Sequence, residues 1–510
     1  MRASRTVLAA SCLALLLAAC GGGGGGSSGG TTTKDFPPSG TLAAQCIAPR
    51  SGTNPATGQA YADKAGSAAT EKAWLRSWIH EFYLWYSEVP DPDASAYATP
   101  QDYFDVLKTP ALTPSGREKD QFHFTYPTDK WIAESQSGVT AGYGVEWSSI
   151  SRKAPREIRV AYLQPGSPAE AAGLTRGMEV IAADGIDVIY SSNVDGLNAA
   201  LFPDQVGATH TLTVRDPATN TTRDVVLTST AVTLSSVMNT RTLDTADGKV
   251  GYMQFNDHIA PAEADLVSAI SQLKAQGIKD LVLDIRYNGG GYLAIASQLA
   301  YMVAGPATTT GKTFERIVFN DKYPNTDPIT GRALTPTPFY NITLGFSLAY
   351  GQNLPTLGLK RVYVLTGSGT CSASEAIING LRGVGVEVVQ IGSTTCGKPY
   401  GFYPQDNCGT TYFAIQFRGV NAAGFGDYAD GFVPAGSGTA GLPGCMVADD
   451  FAHSLGDPAE ARLAAALSYR ANGVCPAQTA ARETRIAAIS SGPAIGKRAP
   501  WRDNRIVTQP

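Results

Sequence analysis

The stretch Leu283-Asp-Ile-Arg-Tyr-Asn-Gly-Gly-Gly-Tyr292 decides the fold of this chain. An apolar strand-like run leads into three consecutive glycines, and apolar residues then recur at helical spacing over 292–303. A buried strand followed at once by a helix is typical of an α/β protein with parallel strands. Glycines at a strand end let a second backbone approach closely and leave N–H groups accessible. The stretch therefore predicts an anion-binding turn, such as an oxyanion hole, with a loose strand–helix connection as the alternative.

The same alternation of strand and helix extends over residues 237–475. Apolar runs bounded by turns predict strands at 250–254, 281–285, 361–365 and 387–391. Helical spacing predicts helices at 260–276, 292–303, 372–382 and 458–469. These residues therefore form an α/β core with a partly parallel sheet.

A second motif, Thr370-Cys-Ser-Ala-Ser-Glu375, follows the predicted strand at 361–365 and opens a helix. Ser372 with Glu375 three residues later is a capping-box pattern, which stabilises a helix and requires no chemistry. The same position suits a nucleophile, because the helix dipole and the amide of Ala373 would face a developing oxyanion. Ser372 is a candidate nucleophile if a base lies beside it.

A third motif, Gly392-Ser-Thr-Thr-Cys-Gly-Lys-Pro399, ends the predicted strand at 387–391. It nearly matches the phosphate-binding loop, but Pro399 has no hydroxyl for magnesium, so we exclude a nucleotide site. Lys398 is then either a solvated surface lysine or a lysine partly buried beside Ser372. Burial disfavours the charged form of a lysine and makes it a usable base.

Residues 137–236 have a different pattern of short strands separated by turns, with strand-like segments at 157–163, 210–216 and 223–229. Between them, the stretch Pro165-Gly-Ser-Pro-Ala-Glu-Ala-Ala-Gly-Leu174 and the following Asp184-Gly185 turn resemble the PDZ domains of bacterial proteases. The segment Gly142-Tyr-Gly-Val145 resembles the PDZ loop that receives a peptide's terminal carboxylate, and a plain glycine turn is the alternative. The peptide-binding candidates are Gly142, Tyr143, Gly144 and Val145.

Together, the three motifs and the PDZ-like segment resemble the C-terminal processing, or tail-specific, serine proteases over roughly 137–435. The resemblance implies a ClpP/crotonase-like α/β protease core with an inserted PDZ-like β-rich domain and a small helical N-terminal domain. It implies a serine endopeptidase with a Ser/Lys dyad of Ser372 and Lys398, and it requires no cofactor and no metal. The oxyanion hole would be formed by the N–H of Ala373 and of Gly290 or Gly291.

The chain departs from the family pattern in several places. Many members have a glutamine four residues after the lysine, whereas this chain has Phe402. Cys371 flanks the candidate nucleophile, as Cys396 flanks the lysine, and Cys371 as the nucleophile is an alternative. His123 is an alternative base, since related tricorn-type proteases use a histidine before the PDZ unit. His258 follows a core strand and is a further candidate.

The first twenty residues, MRASRTVLAASCLALLLAAC, have a basic start and an apolar run of 14 residues. Such a helix rises about 21 Å, less than the roughly 30 Å of a hydrocarbon core, so a removable signal is expected. The ending at Cys20 resembles a bacterial lipobox, with an ordinary signal peptide as the alternative. The resemblance implies lipidation of Cys20 and anchoring at the membrane, in the Gram-negative cell envelope. Gly21 after the cysteine favours the outer membrane, facing the periplasm.

The domain boundaries follow from these segments. We predict a signal at 1–19, a Gly/Ser/Thr-rich tether at 20–45, a helical N-terminal domain at 46–136, a PDZ-like domain at 137–236, a protease core at 237–475 and a peripheral tail at 476–510. The N-terminal domain contains an aromatic helix at 71–87, whose apolar stripe indicates core packing, and a shorter helix near 100–108.

The cysteines of the exported chain suggest disulfides. Six remain after the signal: Cys46, Cys371, Cys396, Cys408, Cys445 and Cys475. They allow 15 pairings. Proximity alone suggests Cys396–Cys408 and Cys445–Cys475. No CxxC pair exists, so a zinc site is not expected.

Composition excludes several function classes. The 510 residues include 44 acidic and 40 basic side chains, and this near-neutral balance argues against a nucleic-acid binder. The 43% apolar share argues against a disordered chain. The expected partners are proteins or peptides with exposed C-termini. Two rival functions remain: an inactive peptide-binding scaffold, and a non-peptidase acyl-transfer or hydratase enzyme of the crotonase type.

Overall fold

A computed structural model describes residues 36–54, 57–436, 438–476 and 505–506. The predicted signal at 1–19, the lipidation site Cys20, most of the tether and most of the tail lie outside the described residues. Within the described ranges, no helix combines the length and the apolar character that a membrane crossing requires.

The helices and strands of the described ranges have the following bounds. The helical segments are Ser39–Leu42, Ala68–Phe82, Tyr86–Glu88, Ala94–Ala96, Pro100–Val106, Thr128–Ile132, Ala133–Ser137, Pro168–Ala171, Val194–Leu201, Ala262–Ala275, Leu293–Ala304, Pro306–Thr309, Ala373–Gly383 and Ala461–Asn472. The strands outside the two large sheets are Gln45–Cys46, Lys64–Ala65, Phe124–Pro127, Val139–Gly142, Thr230–Thr233, Gly291–Tyr292, Thr313–Val318, Thr337–Pro338, Tyr400–Gly401, Gln405–Asn407, Thr410–Phe413, Phe417–Val420, Val433–Pro434, Gly441–Leu442 and Arg505–Ile506.

A six-stranded sheet forms the centre of the α/β core within residues 237–475. In spatial order its strands are Val237–Leu243, Val250–Phe255, Asp280–Asp284, Arg361–Thr366, Glu387–Gly392 and Gly444–Met446. The first pair is antiparallel and every other pair is parallel. Alternate side chains along the strands point to opposite faces of the sheet. Those on one face pack in an apolar cluster with the Ala262–Ala275 helix, and those on the other face pack in a second cluster with the Ala461–Asn472 helix. Helices therefore cover both faces, as the predicted α/β alternation requires.

The second six-stranded sheet lies within residues 145–228. Its main path runs in the order Thr221–Thr228, Thr209–Asp216, Glu179–Ala183, Glu157–Leu163 and Val145–Ser151, and Ile186–Asp187 pairs beside it. This sheet has its own apolar cluster. The strands Val139–Gly142 and Thr230–Thr233 pair antiparallel, so the chain enters and leaves the unit side by side.

The N-terminal helices share the core of the parallel sheet. Trp74 and Trp78 on the Ala68–Phe82 helix are buried in the same cluster as Leu266, so the aromatic stripe is core as expected. The strand Phe124–Pro127 also pairs with Thr410–Phe413, far along the chain. The predicted unit at 46–136 therefore does not have a separate apolar core.

The end of the predicted tether is folded. Residues 39–42 form a helix, and the backbone N–H and Oγ of Ser39 donate to the Glu81 carboxylate at 3.0 and 2.7 Å. The backbone N–H of Ala44 donates to Asn407 Oδ1 at 2.8 Å. These contacts correct the expectation that the tether extends to residue 45, because each one ties this segment to a distant part of the fold.

Within the part of the chain that the structure describes, three disulfides are present: Cys46–Cys408, Cys371–Cys396 and Cys445–Cys475. The Cys445–Cys475 pairing is confirmed. The expected Cys396–Cys408 pairing is wrong, because Cys408 lies in the turn after the strand Gln405–Asn407 and beside Cys46. Proximity along the chain misled here, since Cys46 and Cys408 are 362 residues apart in sequence.

Candidate active site

The loop that contains Ser372 (the serine loop, 370–375) contacts the strand-end motif (283–292) through three hydrogen bonds. Thr370 Oγ1 donates to the Ile285 carbonyl at 2.8 Å. The carbonyl of Asn288 accepts from the N–H of Cys371 at 3.1 Å and from Ser374 Oγ at 3.0 Å. The two motifs meet because their parallel strands are neighbours, so that their carboxyl ends share one edge of the sheet.

Ser372 is fully buried and has an unusual backbone conformation. Its φ of 59° and ψ of −109° lie in a region that non-glycine residues rarely adopt. Such a conformation costs on the order of 1–3 kcal/mol and is concentrated at functional sites. The helix Ala373–Gly383 begins immediately after it, so the Ala373 amide is among the four that have no partner inside the helix.

The Glu375 carboxylate connects the serine loop to the lysine loop. It accepts hydrogen bonds from the backbone N–H groups of Ser372 at 2.9 Å, Gly397 at 2.8 Å and Lys398 at 2.8 Å. Thr395 Oγ1 also donates to it at 2.5 Å. Burial raises the pKa of Glu375, and these hydrogen bonds oppose the rise. Sequence reasoning assigned Glu375 only a capping role and missed this connection.

Lys398 is fully buried, which excludes the solvated surface position considered from the sequence. Its Nζ lies 4.5 Å from the ring centre of Phe122 and 4.8 Å from that of Phe402. The ring faces attract a cation, whereas burial disfavours the charged ammonium. Aromatic rings therefore surround the amine at the place where many resembling proteases have a glutamine.

The disulfide Cys371–Cys396 joins the same two loops covalently, with the two Cα atoms 5.1 Å apart. The N–H of Cys396 also donates to the Thr370 carbonyl at 3.0 Å. Because its sulfur is bonded, Cys371 has no thiol to act as a nucleophile, which corrects that alternative. Cys371, Glu375 and Cys396 are close enough to be metal ligands, but the disulfide occupies both sulfurs.

In the glycine turn (289–291), the N–H groups of the two oxyanion candidates Gly290 and Gly291 differ in their hydrogen-bond partners. The N–H of Gly290 donates to Asn288 Oδ1 at 2.9 Å, so it is already committed to a side chain. The N–H of Tyr292 donates to the His258 carbonyl at 2.9 Å, and the His258 N–H donates to the Gly290 carbonyl at 3.1 Å. Because successive peptide groups in a strand alternate in direction, the N–H of Gly291 faces away from His258. The geometry favours Gly291 over Gly290 as the donor.

Gly291 has a second reason to be glycine. Its φ is +130°, and a Cβ there would lie 2.5 Å from the carbonyl oxygen of His258. Any larger residue would push the two backbone segments apart, which agrees with the prediction that the glycines allow a second backbone to approach closely.

The two histidine candidates for a base have other contacts. His258 is buried, its Nδ1 lies 3.0 Å from Asn288 Oδ1, and burial lowers its pKa to about 3. A group with this pKa is neutral and only weakly basic near pH 7. His123 Nε2 lies 2.8 Å from the Phe104 carbonyl, and its Nδ1 lies 3.6 Å from Asp120 Oδ2. His123 thus belongs to a buried N-terminal network.

A buried ion-pair network includes Arg286 and Tyr287 of the strand-end motif, and no sequence pattern predicted it. Arg286 donates to Glu460 at 2.7 and 2.9 Å and to Asp449 at 2.8 Å. Tyr287 donates its hydroxyl proton to Asp449 as well. Arg176, from the 137–236 unit, donates to the Tyr287 hydroxyl at 2.7 Å and to Asp449 at 2.8 Å. The network therefore links that unit to the strand-end motif that contains the glycine turn.

The peptide-binding candidates lie at the edge of the second sheet. Gly142 ends the strand Val139–Gly142, and Gly144 has a φ of +70°. The Tyr143 carbonyl accepts from the N–H of Ala169 at 3.0 Å. Val145 begins Val145–Ser151, which is the outermost strand of its sheet. An edge strand beside a glycine turn is the arrangement that strand addition by a peptide requires.

Comparison with known proteins agrees with this geometry. Residues 249–402 match the family described as "Peptidase family S41", and residues 70–126 match "Peptidase S41 N-terminal domain". The chain is 32% identical over 267 residues, 52% of its length, to a carboxyl-terminal-processing protease of Picosynechococcus sp. and covers 56% of it. A Synechocystis sp. protease of the same name is 26% identical over 46% of this chain and 47% of its own length. The chain thus spans about half the length of these relatives.

A solved S41 protease of Bacteroides fragilis shares the fold. The TM-score is 0.59 at 23% identity, and the match covers 79% of this chain and 97% of that one. The family region at 249–402 contains all three motifs, from the glycine turn to the lysine loop. On these matches, residues 70–126 and 249–402 are similar to peptidase family S41, and about half of the chain is similar to carboxyl-terminal-processing proteases.

Proposed function

We propose that this chain is a serine endopeptidase that uses Ser372 as the nucleophile and Lys398 as the general base. One observation carries the proposal: the Glu375 carboxylate accepts the backbone amides of both residues, at 2.9 and 2.8 Å. This connection holds a serine at a helix start next to a loop with a buried amine. A buried amine beside a hydroxyl is the arrangement that nucleophilic catalysis by serine needs.

The reaction proceeds through an acyl-enzyme. The neutral Lys398 amine takes the proton of Ser372 Oγ while the Oγ–carbon bond forms at the scissile carbonyl. The N–H groups of Ala373 and Gly291 stabilise the oxyanion. The carbon–nitrogen bond then breaks, and the leaving amine takes the proton from Lys398. Water attacks the ester with the same lysine as base, which releases the acid and restores Ser372.

The substrates in this proposal are proteins whose C-terminal tails bind the PDZ-like unit at 137–236. The names of the two cyanobacterial relatives support this class of substrate. The outermost strand Val145–Ser151 and the adjoining glycine turn support binding of an extended tail. The inactive-scaffold function is less favoured, because the buried Ser372 and Lys398 are both present and the Glu375 carboxylate holds their loops together.

The proposal places the protein in the cell envelope, anchored through a lipid on Cys20. The apolar run before Cys20 and the glycine-rich segment after it support this location. A Cys20→Ala variant should leave the membrane fraction while the purified protein keeps its activity. Retention of the variant in the membrane would contradict the lipid anchor.

Hydrolysis of a fluorogenic peptide with a free apolar C-terminus tests the activity. Ser372→Ala and Lys398→Met should each lower kcat by at least a factor of about a thousand with folding retained, because each removes a reacting group. The matched controls are Ser268→Ala and Lys279→Met, at exposed positions of the core. Unchanged cleavage by Ser372→Ala would overturn the assignment. Near-full activity of Lys398→Met would exclude the lysine, and His123 would be tested next.

A further inference from the structure

The chain's own segment Arg505–Ile506 lies against the oxyanion turn. It pairs in parallel with Gly291–Tyr292, in the register Gly291↔Arg505 and Tyr292↔Ile506. Its Cα atoms also come within 8 Å of the strand Tyr400–Gly401, which follows Lys398 closely. This segment belongs to the C-terminal tail at 476–510, and it pairs with a core strand.

The main-chain groups of Gly291 are directed toward this segment. On the other side of the same strand, the Gly290 carbonyl and the Tyr292 N–H are already bonded to His258. Alternation along the strand therefore turns the N–H and the carbonyl of Gly291 toward Arg505–Ile506. In this parallel register, the N–H of Ile506 donates to the Gly291 carbonyl. The segment thus occupies the side of the turn from which an oxyanion would be stabilised.

The connection allows this pairing within one chain. Residues 477–504 separate the segment from the end of the core, and 28 residues span at most roughly 95 Å when extended. A tethered segment has an effective concentration on the order of millimolar, which compensates for weak individual contacts.

We propose that Arg505–Ile506 is an intramolecular ligand of the edge that binds the substrate main chain, and that it competes with substrate polypeptides. The competition with substrate rests on the proposed peptidase function, whereas the pairing itself does not. Recognition is by main-chain hydrogen bonds, the mode in which an extended peptide adds to a strand. Release of the segment opens the edge beside Gly291 to a substrate.

A single substitution tests the pairing in the full-length chain. Ile506→Pro removes the N–H that donates to Gly291 and fixes φ away from strand values, whereas the control Ile506→Ala keeps the donor. Both variants are made in a Ser372→Ala background, so that no cleavage occurs. Hydrogen exchange of the 290–293 amides should be at least three times faster in Ile506→Pro than in Ile506→Ala. Equal exchange rates in the two variants would overturn the proposal.

Kinetics with Ser372 intact separate this proposal from the peptidase function. A tethered competitor raises the apparent KM and leaves kcat unchanged, so Ile506→Pro should lower KM three- to tenfold relative to Ile506→Ala. A synthetic peptide of residues 501–510 should raise the KM of Ile506→Pro again. An unchanged KM in an active enzyme would contradict the competition. If exchange responds but no variant hydrolyses peptide, the pairing stands and the proposed function fails.

Discussion

At the scale of single residues, Glu375 is the side chain that joins the serine loop to the lysine loop. Its two oxygens accept from four donors in two loops. The capping-box pattern Ser-x-x-Glu identified the residue but assigned it to one helix end only. The bonds to Thr395, Gly397 and Lys398 could not be foreseen, because they come from a separate loop 20 to 23 residues later.

Glu375→Gln should weaken both folding and catalysis. The amide nitrogen replaces one acceptor with a donor, so at least one buried N–H or hydroxyl loses its partner, at a cost of about 1–3 kcal/mol. We expect the free energy of unfolding to fall by this amount and kcat to fall at least tenfold. Denaturant titration and peptide hydrolysis measure the two effects. The control Glu387→Gln changes an exposed carboxylate, and an equal kcat for both variants would contradict the positioning role.

His258 should make the folded state sensitive to acid. Its pKa is lowered to about 3 by burial, against about 6.5 in the unfolded chain. Between these values the unfolded state binds the extra proton, so this histidine's contribution to stability falls as pH decreases, by about 1.4 kcal/mol per pH unit. His258→Gln should reduce the slope of unfolding free energy against pH over that range.

Denaturant titrations from pH 6.5 to pH 4 measure this slope. The control His453→Gln removes an exposed histidine whose pKa is raised by Asp450. That group is protonated in both states at low pH, so its removal should leave the slope below pH 6 unchanged. A wild-type slope in His258→Gln would show that this group does not titrate on unfolding.

At the scale of elements, the site is assembled at the carboxyl ends of three parallel strands. The strands Asp280–Asp284, Arg361–Thr366 and Glu387–Gly392 are adjacent and each leads into one motif. The sequence predicted these strands to within one or two residues, because buried apolar runs and glycine turns are local signals. The disulfide that joins two of the motifs was not predicted, and Cys396 was paired with Cys408 instead, since cysteine pairing depends on distances in the folded chain.

Removing the disulfide Cys371–Cys396 should affect stability and catalysis together. The bridge closes a loop of 25 residues, which corresponds to about 3–4 kcal/mol in the chain-entropy description. We expect Cys371→Ala/Cys396→Ala to lose this stability and to lower kcat at least tenfold, because the serine and lysine loops lose their covalent link. Thermal unfolding and peptide hydrolysis measure the two effects.

The chain offers a matched control for this experiment. Cys445–Cys475 closes a loop of 30 residues, so Cys445→Ala/Cys475→Ala should lose similar stability. That bridge ties the strand Gly444–Met446 to the residue stretch after the last core helix, and its removal should leave kcat nearly unchanged. Equal losses of kcat in the two double variants would show that the Cys371–Cys396 bridge has no specific role in positioning.

At the scale of the whole molecule, Arg176 connects the 137–236 unit to the core. Burial alone would raise the pKa of the Asp449 carboxyl, but Arg462, Arg286 and Arg176 outweigh it and lower the pKa. The stability from this carboxylate is present above its unfolded pKa and is lost as pH falls through the folded value. The ion pair between Arg176 and Asp449 therefore joins two units that have separate apolar cores.

Arg176→Met should therefore loosen the two units from each other. We expect the free energy of unfolding to fall by about 2–4 kcal/mol, since a buried carboxylate loses one partner, and kcat/KM to fall at least fivefold, because Tyr287 in the oxyanion motif loses a contact. Calorimetry and peptide hydrolysis measure these changes. The control Arg223→Met removes contacts to Ala172 and Gly173 inside the same unit. If both variants lose kcat/KM equally, the coupling is refuted.

The sequence by itself determined the α/β alternation and the positions of the three motifs. It also identified Ser372 and Lys398 as the candidate nucleophile and base. These follow from hydrophobic periodicity and turn chemistry, which act between near neighbours. Only the tertiary structure decided that Glu375 joins the two loops, that Phe402 and Phe122 surround the lysine, and that Gly291 rather than Gly290 presents its N–H. It also decided that Arg505–Ile506 lies on that turn. The Glu375 bonds to the lysine loop, the contact of Phe122 with Lys398 and the Arg505–Ile506 pairing depend on contacts between segments distant in sequence, and no local pattern encodes which distant segments meet.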